Sequence, residues 1–154
     1  MKHLLQKKYI KTVAVIVACL LLLGIFLLLG PPKLLEKSES PGFCARCHVM
    51  ESEYTNFMHS GAHRRLQCVD CHLPHENPAS HYTWKSIDGM KDVIHFYSGI
   101  VPERIELSDH GKRVVQQNCI RCHSELVSQI DQSRNCWECH RSITHIGTGA
   151  APGM

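Results

Sequence analysis

Four stretches of this 154-residue chain repeat one arrangement of reactive side chains: Cys44-Ala45-Arg46-Cys47-His48, Cys68-Val69-Asp70-Cys71-His72, Cys119-Ile120-Arg121-Cys122-His123 and Cys136-Trp137-Glu138-Cys139-His140. Cys-x-x-Cys-His is the c-type heme attachment sequence. The two thiols form thioethers with the vinyl groups of one heme, and the two-residue gap sets their separation. The adjacent imidazole then lies under the porphyrin plane, within reach of the iron. The four copies use eight of the nine cysteines. The ninth, Cys19, lies in an apolar run and reads as a small hydrophobe. Paired Cys-x-x-Cys motifs also hold zinc, but a tetrahedral zinc site gives no reason for a histidine directly after every pair. A disulfide framework gives no reason for identical spacing. The motifs therefore predict four covalently bound heme c groups.

The elements that must carry these motifs begin with an anchor. Thr12 to Gly30 bears no charge and is almost wholly apolar. As helix it spans roughly 28 Å, against a hydrocarbon core of about 30 Å. A cleaved signal peptide has a shorter apolar core and a small-x-small cleavage site, and Leu27-Leu28-Leu29-Gly30-Pro31-Pro32-Lys33 offers none. Residues 12–30 thus read as an uncleaved transmembrane helix and residues 1–11 as its basic cytoplasmic end. Lys2, Lys7, Lys8 and Lys11 precede the span, with no acid among residues 1–30. The positive-inside rule then places everything after Pro31 on the far side, the periplasm of a bacterial inner membrane. The formal charge of +3 belongs to this end, because the remainder holds 13 basic and 14 acidic residues, a net of −1. Nothing in that balance argues for nucleic acid.

Pro31-Pro32 should stop the membrane helix. Residues 31–41 read as a linker and residues 42–154 as one domain. Residues 31–154 divided among four motifs leave 31 residues per heme. So thin a chain cannot build an ordinary side-chain core. The fold expected is mainly α with much irregular loop, a small multiheme cytochrome c domain whose core is the four hemes. Helices are predicted at Glu51 to Met58, Trp84 to Tyr97, Ser108 (as N-cap) to Cys122, and Ser133 to His145. The Gly, Ala and Pro-rich tail from Gly147 to Met154 should fray. The motifs are unequally spaced, which excludes a solenoid.

His48, His72, His123 and His140 supply one face of each heme. The opposite faces have as candidates Met50 and the other histidines: His59, His63, His75, His81, His95, His110 and His145. Met50 lies two residues after His48 and cannot cross to the opposite face. Either it replaces His48 on the same face or it does not bind iron; the residues alone favour His48. Lys85, Asp88 and Asp92 share a helical face. Read from charge pattern alone, this is a solvated face with Lys85–Asp88 and Asp88–Lys91 pairs, each worth a few tenths of a kcal/mol.

The order of features is an N-terminal anchor, Cys-x-x-Cys-His-x-Met, Cys-x-x-Cys-His-x-Pro, two late heme motifs, and a histidine five residues after the last. This order resembles the NapC/NirT family of membrane-anchored tetraheme quinol dehydrogenases, and within it the branch that forms the small subunit of cytochrome c nitrite reductase. The resemblance implies that Met50 replaces His48 at heme 1. It implies that His145 binds heme 2 opposite His72, and that His63 binds heme 3 opposite His123. Heme 4 keeps His140 and takes a lysine from a catalytic partner. It also implies that Lys85 hydrogen-bonds a menaquinol beside heme 1 and that Asp92 occupies the open side of that iron. The expected function is electron relay from menaquinol to a periplasmic multiheme nitrite reductase catalytic subunit, reducing nitrite to ammonia in anaerobic respiration. Sister branches feed nitrate, trimethylamine N-oxide or fumarate reductases. A terminal heme enzyme would need a distal pocket that this chain is too short to build.

Overall fold

The computed structural model describes residues 2–30, 33–102, 105–143 and 145. The Pro31-Pro32 stop and the frayed tail from Gly147 fall outside the described residues. The first element, α1 (Lys2–Leu29), runs through the basic end as well as the apolar run. Its segment from Gln6 to Leu29 has a mean hydropathy of 3.1 and none of it is buried. Leu20, Leu21 and Leu22, which point in three directions round the helix, are all exposed. A helix apolar on every side and packed against no protein has lipid as its matching solvent.

Within the linker lies a single turn, α2 (Leu34–Lys37), preceded by Lys33 N–H donating to Gly30 O at 2.8 Å. Pro41 then starts α3 (Pro41–Cys44) at the position where its missing N–H costs nothing, so the first motif begins inside a helix. A 3-10 turn (His48–Met50) leads into α4 (Glu51–Met58), as predicted. A second 3-10 turn (Gly61–Arg65) precedes α5 (Cys68–His72).

The longest element of the domain is α6 (Pro78–Tyr97). It starts six residues before the predicted Trp84, because Asn77 caps it through Ser80 N–H at 2.8 Å and Pro78 takes the first position. Next, α7 (Asp109–Val127) has Ser108 as its cap, with Gly111 N–H donating to Ser108 Oγ, and runs beyond the predicted Cys122. The predicted helix from Ser133 to His145 is instead α8 (Cys136–Cys139) and a 3-10 turn (Arg141–Ile143). His140 breaks it, with ψ at 64°. No strand occurs among the described residues.

Phe57, Leu73, Pro74, Val114 and Asn118 are the buried residues among those described. Such a list is too short for an ordinary domain core, as the ratio of chain to motifs requires.

Candidate heme-binding sites

Three of the motifs are held on helical turns. The second and fourth are α5 and α8, and each is closed by a capping box built from the motif itself. Asp70 Oδ2 accepts from Gln67 N–H at 2.7 Å, and Glu138 Oε1 accepts from Asn135 N–H at 3.2 Å. The residue before the first cysteine and the residue before the second thus secure the turn that spaces the thiols. The third motif lies within α7 and ends at His123, whose φ and ψ (−115°, 20°) leave the helical region.

The side chains of α7 gather the others. Asn118 is buried, and its Nδ2 donates to Cys71 O and Leu73 O, both at 2.9 Å, while its Oδ1 accepts from Arg121 Nε. Arg121 also donates to Asp70 O. Gln116 Nε2 donates to Gln132 O and Arg134 O, and its Oε1 accepts from Cys136 N–H at 3.0 Å. One helix therefore fixes the second, third and fourth motifs relative to one another. The sequence reading missed both amides, although an amide precedes the first cysteine in three of the four motifs.

The first motif is built differently. Cys44 ends α3, Cys47 is extended, and His48 opens a 3-10 turn. His48 is exposed, with its ring 5.5 Å from Phe96, whereas Met50 is half-buried.

Two histidine pairs named from the resemblance face each other. The rings of His63 and His123 are 6.1 Å apart between centres, and those of His72 and His145 are 6.0 Å apart. Two imidazoles on one metal, each bonded at about 2 Å, have their ring centres about 6 Å apart. Burial drives His72 down to about 4, with His145 adding to the effect and Asp88 opposing it. His145 is also lowered, chiefly by burial, against Glu53. It is set by Asn56 Nδ2, which donates to His145 O, and by the Phe57 ring at 5.9 Å. Of the rival histidines, His59 Nδ1 bonds Thr55 O, His75 Nε2 bonds Val69 O, and both nitrogens of His81 are engaged. His95 is exposed on α6. His110 stacks on Trp84 at 3.5 Å, and its Nε2 is buried without a hydrogen-bond partner. No described ring faces His140, which is exposed.

Lys85 does not form the expected pair with Asp88. Its Nζ lies 3.0 Å from Glu39 Oε1, in a contact where both side chains are mostly buried. The same oxygen is 3.2 Å from His81 Nε2, and His81 Nδ1 donates to Pro74 O. Burial works against the Glu39 charge, but the bonds from Lys85 and His81 outweigh it and hold the carboxyl below its ordinary value. Nothing local marks Glu39 in the sequence, since its partners are 42 and 46 residues away. Asp92 is accessible yet backed by enough protein that partial desolvation lifts its carboxyl, with Lys91 opposing and Asp88 adding. Lys85 and Asp92 both act electrostatically on Cys44 of the first motif. As a free thiol Cys44 is brought down to about 7, first by the hydrogen bond from Cys68; burial opposes, Lys85 assists, and Asp92 counteracts.

These residues fit covalently held porphyrins. The cysteines are unpaired as disulfides. Two imidazole pairs stand at the separation of a doubly ligated iron. The His110 nitrogen is buried with nothing to bond. Among the described residues no three His, Cys, Asp or Glu side chains converge.

Comparison with known proteins agrees. The chain is 34% identical over 146 residues to the cytochrome c-type protein NrfH of Wolinella succinogenes, covering 85% of this chain and 82% of that one. It is 33% identical over 107 residues to the cytochrome c nitrite reductase subunit NrfH of Nitratidesulfovibrio vulgaris, covering 68% and 66%. Its fold matches a chain in the crystal structure of a cytochrome c nitrite reductase NrfHA complex bound to the HQNO inhibitor, with a TM-score of 0.71 and 27% identity over 88% of this chain and 93% of the other. A family model covers residues 6–145, from within the membrane helix to the last paired histidine. With its four heme-attachment motifs and its apolar N-terminal helix, the chain belongs to the NapC/NirT cytochrome c family.

Proposed function

We propose that this chain is the membrane-anchored, quinol-oxidising subunit of a cytochrome c nitrite reductase. It takes electrons from menaquinol and relays them to a periplasmic multiheme catalytic subunit that reduces nitrite to ammonia. The observation that carries this reading is the match to nitrite reductase small subunits along both anchor and motif domain. Four heme c groups, one per motif, would supply one-electron redox chemistry when bound.

The residues divide the remaining work. Cys44, Cys47, Cys68, Cys71, Cys119, Cys122, Cys136 and Cys139 would hold the four groups covalently. His72 with His145, and His123 with His63, would ligate the second and third irons. The half-buried Met50 would ligate the first in place of exposed His48, with Asp92 on the open side. The fourth iron would have His140 and a lysine of the catalytic partner. Oxidising a quinol also releases two protons, so its site needs a donor for the oxygen and acceptors for the protons. Lys85 supplies N–H donors, and Glu39 fixes where they point. Asp92, two turns along α6, supplies an acceptor.

The test is quinol turnover in the assembled complex. Lys85→Leu should slow menaquinol oxidation about tenfold to a hundredfold, the cost of one charged hydrogen bond of about 1.5–3 kcal/mol. Artificial dyes that reduce exposed hemes should still drive nitrite reduction. Lys91→Leu, on another face of α6, is the control. Full quinol activity in Lys85→Leu would place the quinol site elsewhere.

A further inference from the structure

The helix α6 is amphipathic in the wrong sense for a soluble domain. At about 100° per residue, His81, Lys85, Asp88 and Asp92 fall within an arc of about 60°. The first half of that arc faces the protein, where the His81 and Lys85 side chains are only 12% and 19% exposed, and Asp92 at its far end is accessible. Ile87, Met90, Ile94 and Tyr97 fall within an arc of about 80° on the opposite side. These four are 49%, 62%, 54% and 83% exposed. The contacts that hold α6 leave this side free. They include the Glu39 bonds, the His81 bond to Pro74 O, the His75–His81 ring contact, the Trp84–His110 stack, and Phe96 beside His48. A stripe of large apolar side chains with a charged back needs an apolar surface to cover it.

The chain path says which surface is near. Lys33 is hydrogen-bonded to Gly30, one residue past α1, and Lys37 N–H to Lys33 O keeps the segment turned. Lys33 to Glu39 therefore advances only about 10 Å at helical rise. Glu39 then grips Lys85 and His81 in the first half of α6. The helix is clamped within a few turns of the point where α1 leaves the membrane. We propose that α6 lies along the outer surface of the bilayer that α1 spans, with Ile87, Met90, Ile94 and Tyr97 in the boundary between headgroups and acyl chains. Tyr82 and Tyr97, towards its two ends, are residues suited to that boundary. The inference rests on α1 being a membrane anchor and is independent of the quinol and of the partner reductase.

Photolabelling of the full-length heme-loaded protein in single-copy nanodiscs tests it. The discs carry a phospholipid with a diazirine near the acyl carbonyl. After activation and trypsin digestion, lipid adducts are expected on the peptide 92–104 as well as on α1, and none on 105–112. Met90→Glu with Ile94→Glu should lower labelling of 92–104 at least fivefold at unchanged heme content, while α1 labels as before. Adding the catalytic subunit should leave the labelling unchanged. Adducts confined to α1 would overturn the proposal, and so would loss of the 92–104 adducts when the catalytic subunit binds, because the face would then belong to the partner. Failure of the anchor itself would show separately, as absence of label on α1.

Discussion

His145 adopts φ 58°, a left-handed conformation that a β-carbon makes costly. The Asn56 bond to its carbonyl and the Phe57 ring hold it there, aimed at His72. Backbone held against its preference by several contacts is a mark of functional positioning. His145→Ala should convert one low-spin heme to high spin while the number of attached hemes, counted as pyridine hemochromes, stays unchanged. An unaltered low-spin spectrum would remove His145 from the ligands. Glu39 makes a different prediction. Its folded-state pKa lies below the ordinary 4.5, so its contribution is present above that value and is lost as pH falls through the lowered one. Glu39→Gln should cost about 1 kcal/mol at pH 7, discounted for partial exposure. The gap between the two thermal unfolding curves should close in acid, below the ordinary carboxylate value. A gap independent of pH would assign Glu39 a packing role only. The four Cys-x-x-Cys-His motifs were legible in the sequence because their chemistry is written in local spacing, and His145 was named from the family resemblance. Glu39 was not, because its meaning arises only when the chain folds back on itself.

Among the elements, α7 has the most to lose from a single change. Asn118→Leu would leave the buried carbonyl of Leu73 and the half-buried one of Cys71 without a donor, at about 1–3 kcal/mol for the buried one and less for the other. The variant should unfold several degrees lower by circular dichroism, whereas Gln117→Leu at the neighbouring exposed position should not. The helices read correctly in advance were those with ordinary signals, such as the Ser108 cap and the apolar anchor. The start of α6 had such a signal in Asn77-Pro78, outranked by the apolar spacing that begins later. The stretch from Ser133 to His145 misled because a heme motif can occupy one helical turn and then bend away.

For the molecule as a whole, the fourth motif points outward. His140 is exposed, and no described ring faces it. In the isolated subunit the corresponding heme should contribute a high-spin signal that disappears when the catalytic subunit binds. A fully low-spin isolated subunit would instead point to a ligand within this chain, with the unpaired Nε2 of His110 the first to examine. The cross-links from α7 also bear on how the protein is made. Asn118 reaches back 47 residues to Cys71. In the orientation proposed here the N-terminus stays inside and the chain just after α1 crosses first, so Cys68 and Cys71 arrive outside while Asn118 is still within or behind the translocation channel. Any heme joined to them at that moment is joined to a ribbon without its tertiary scaffold. The turn closed by Gln67 and Asp70 needs no residue from α7, so the spacing of these two thiols can be set before the scaffold that later surrounds them exists.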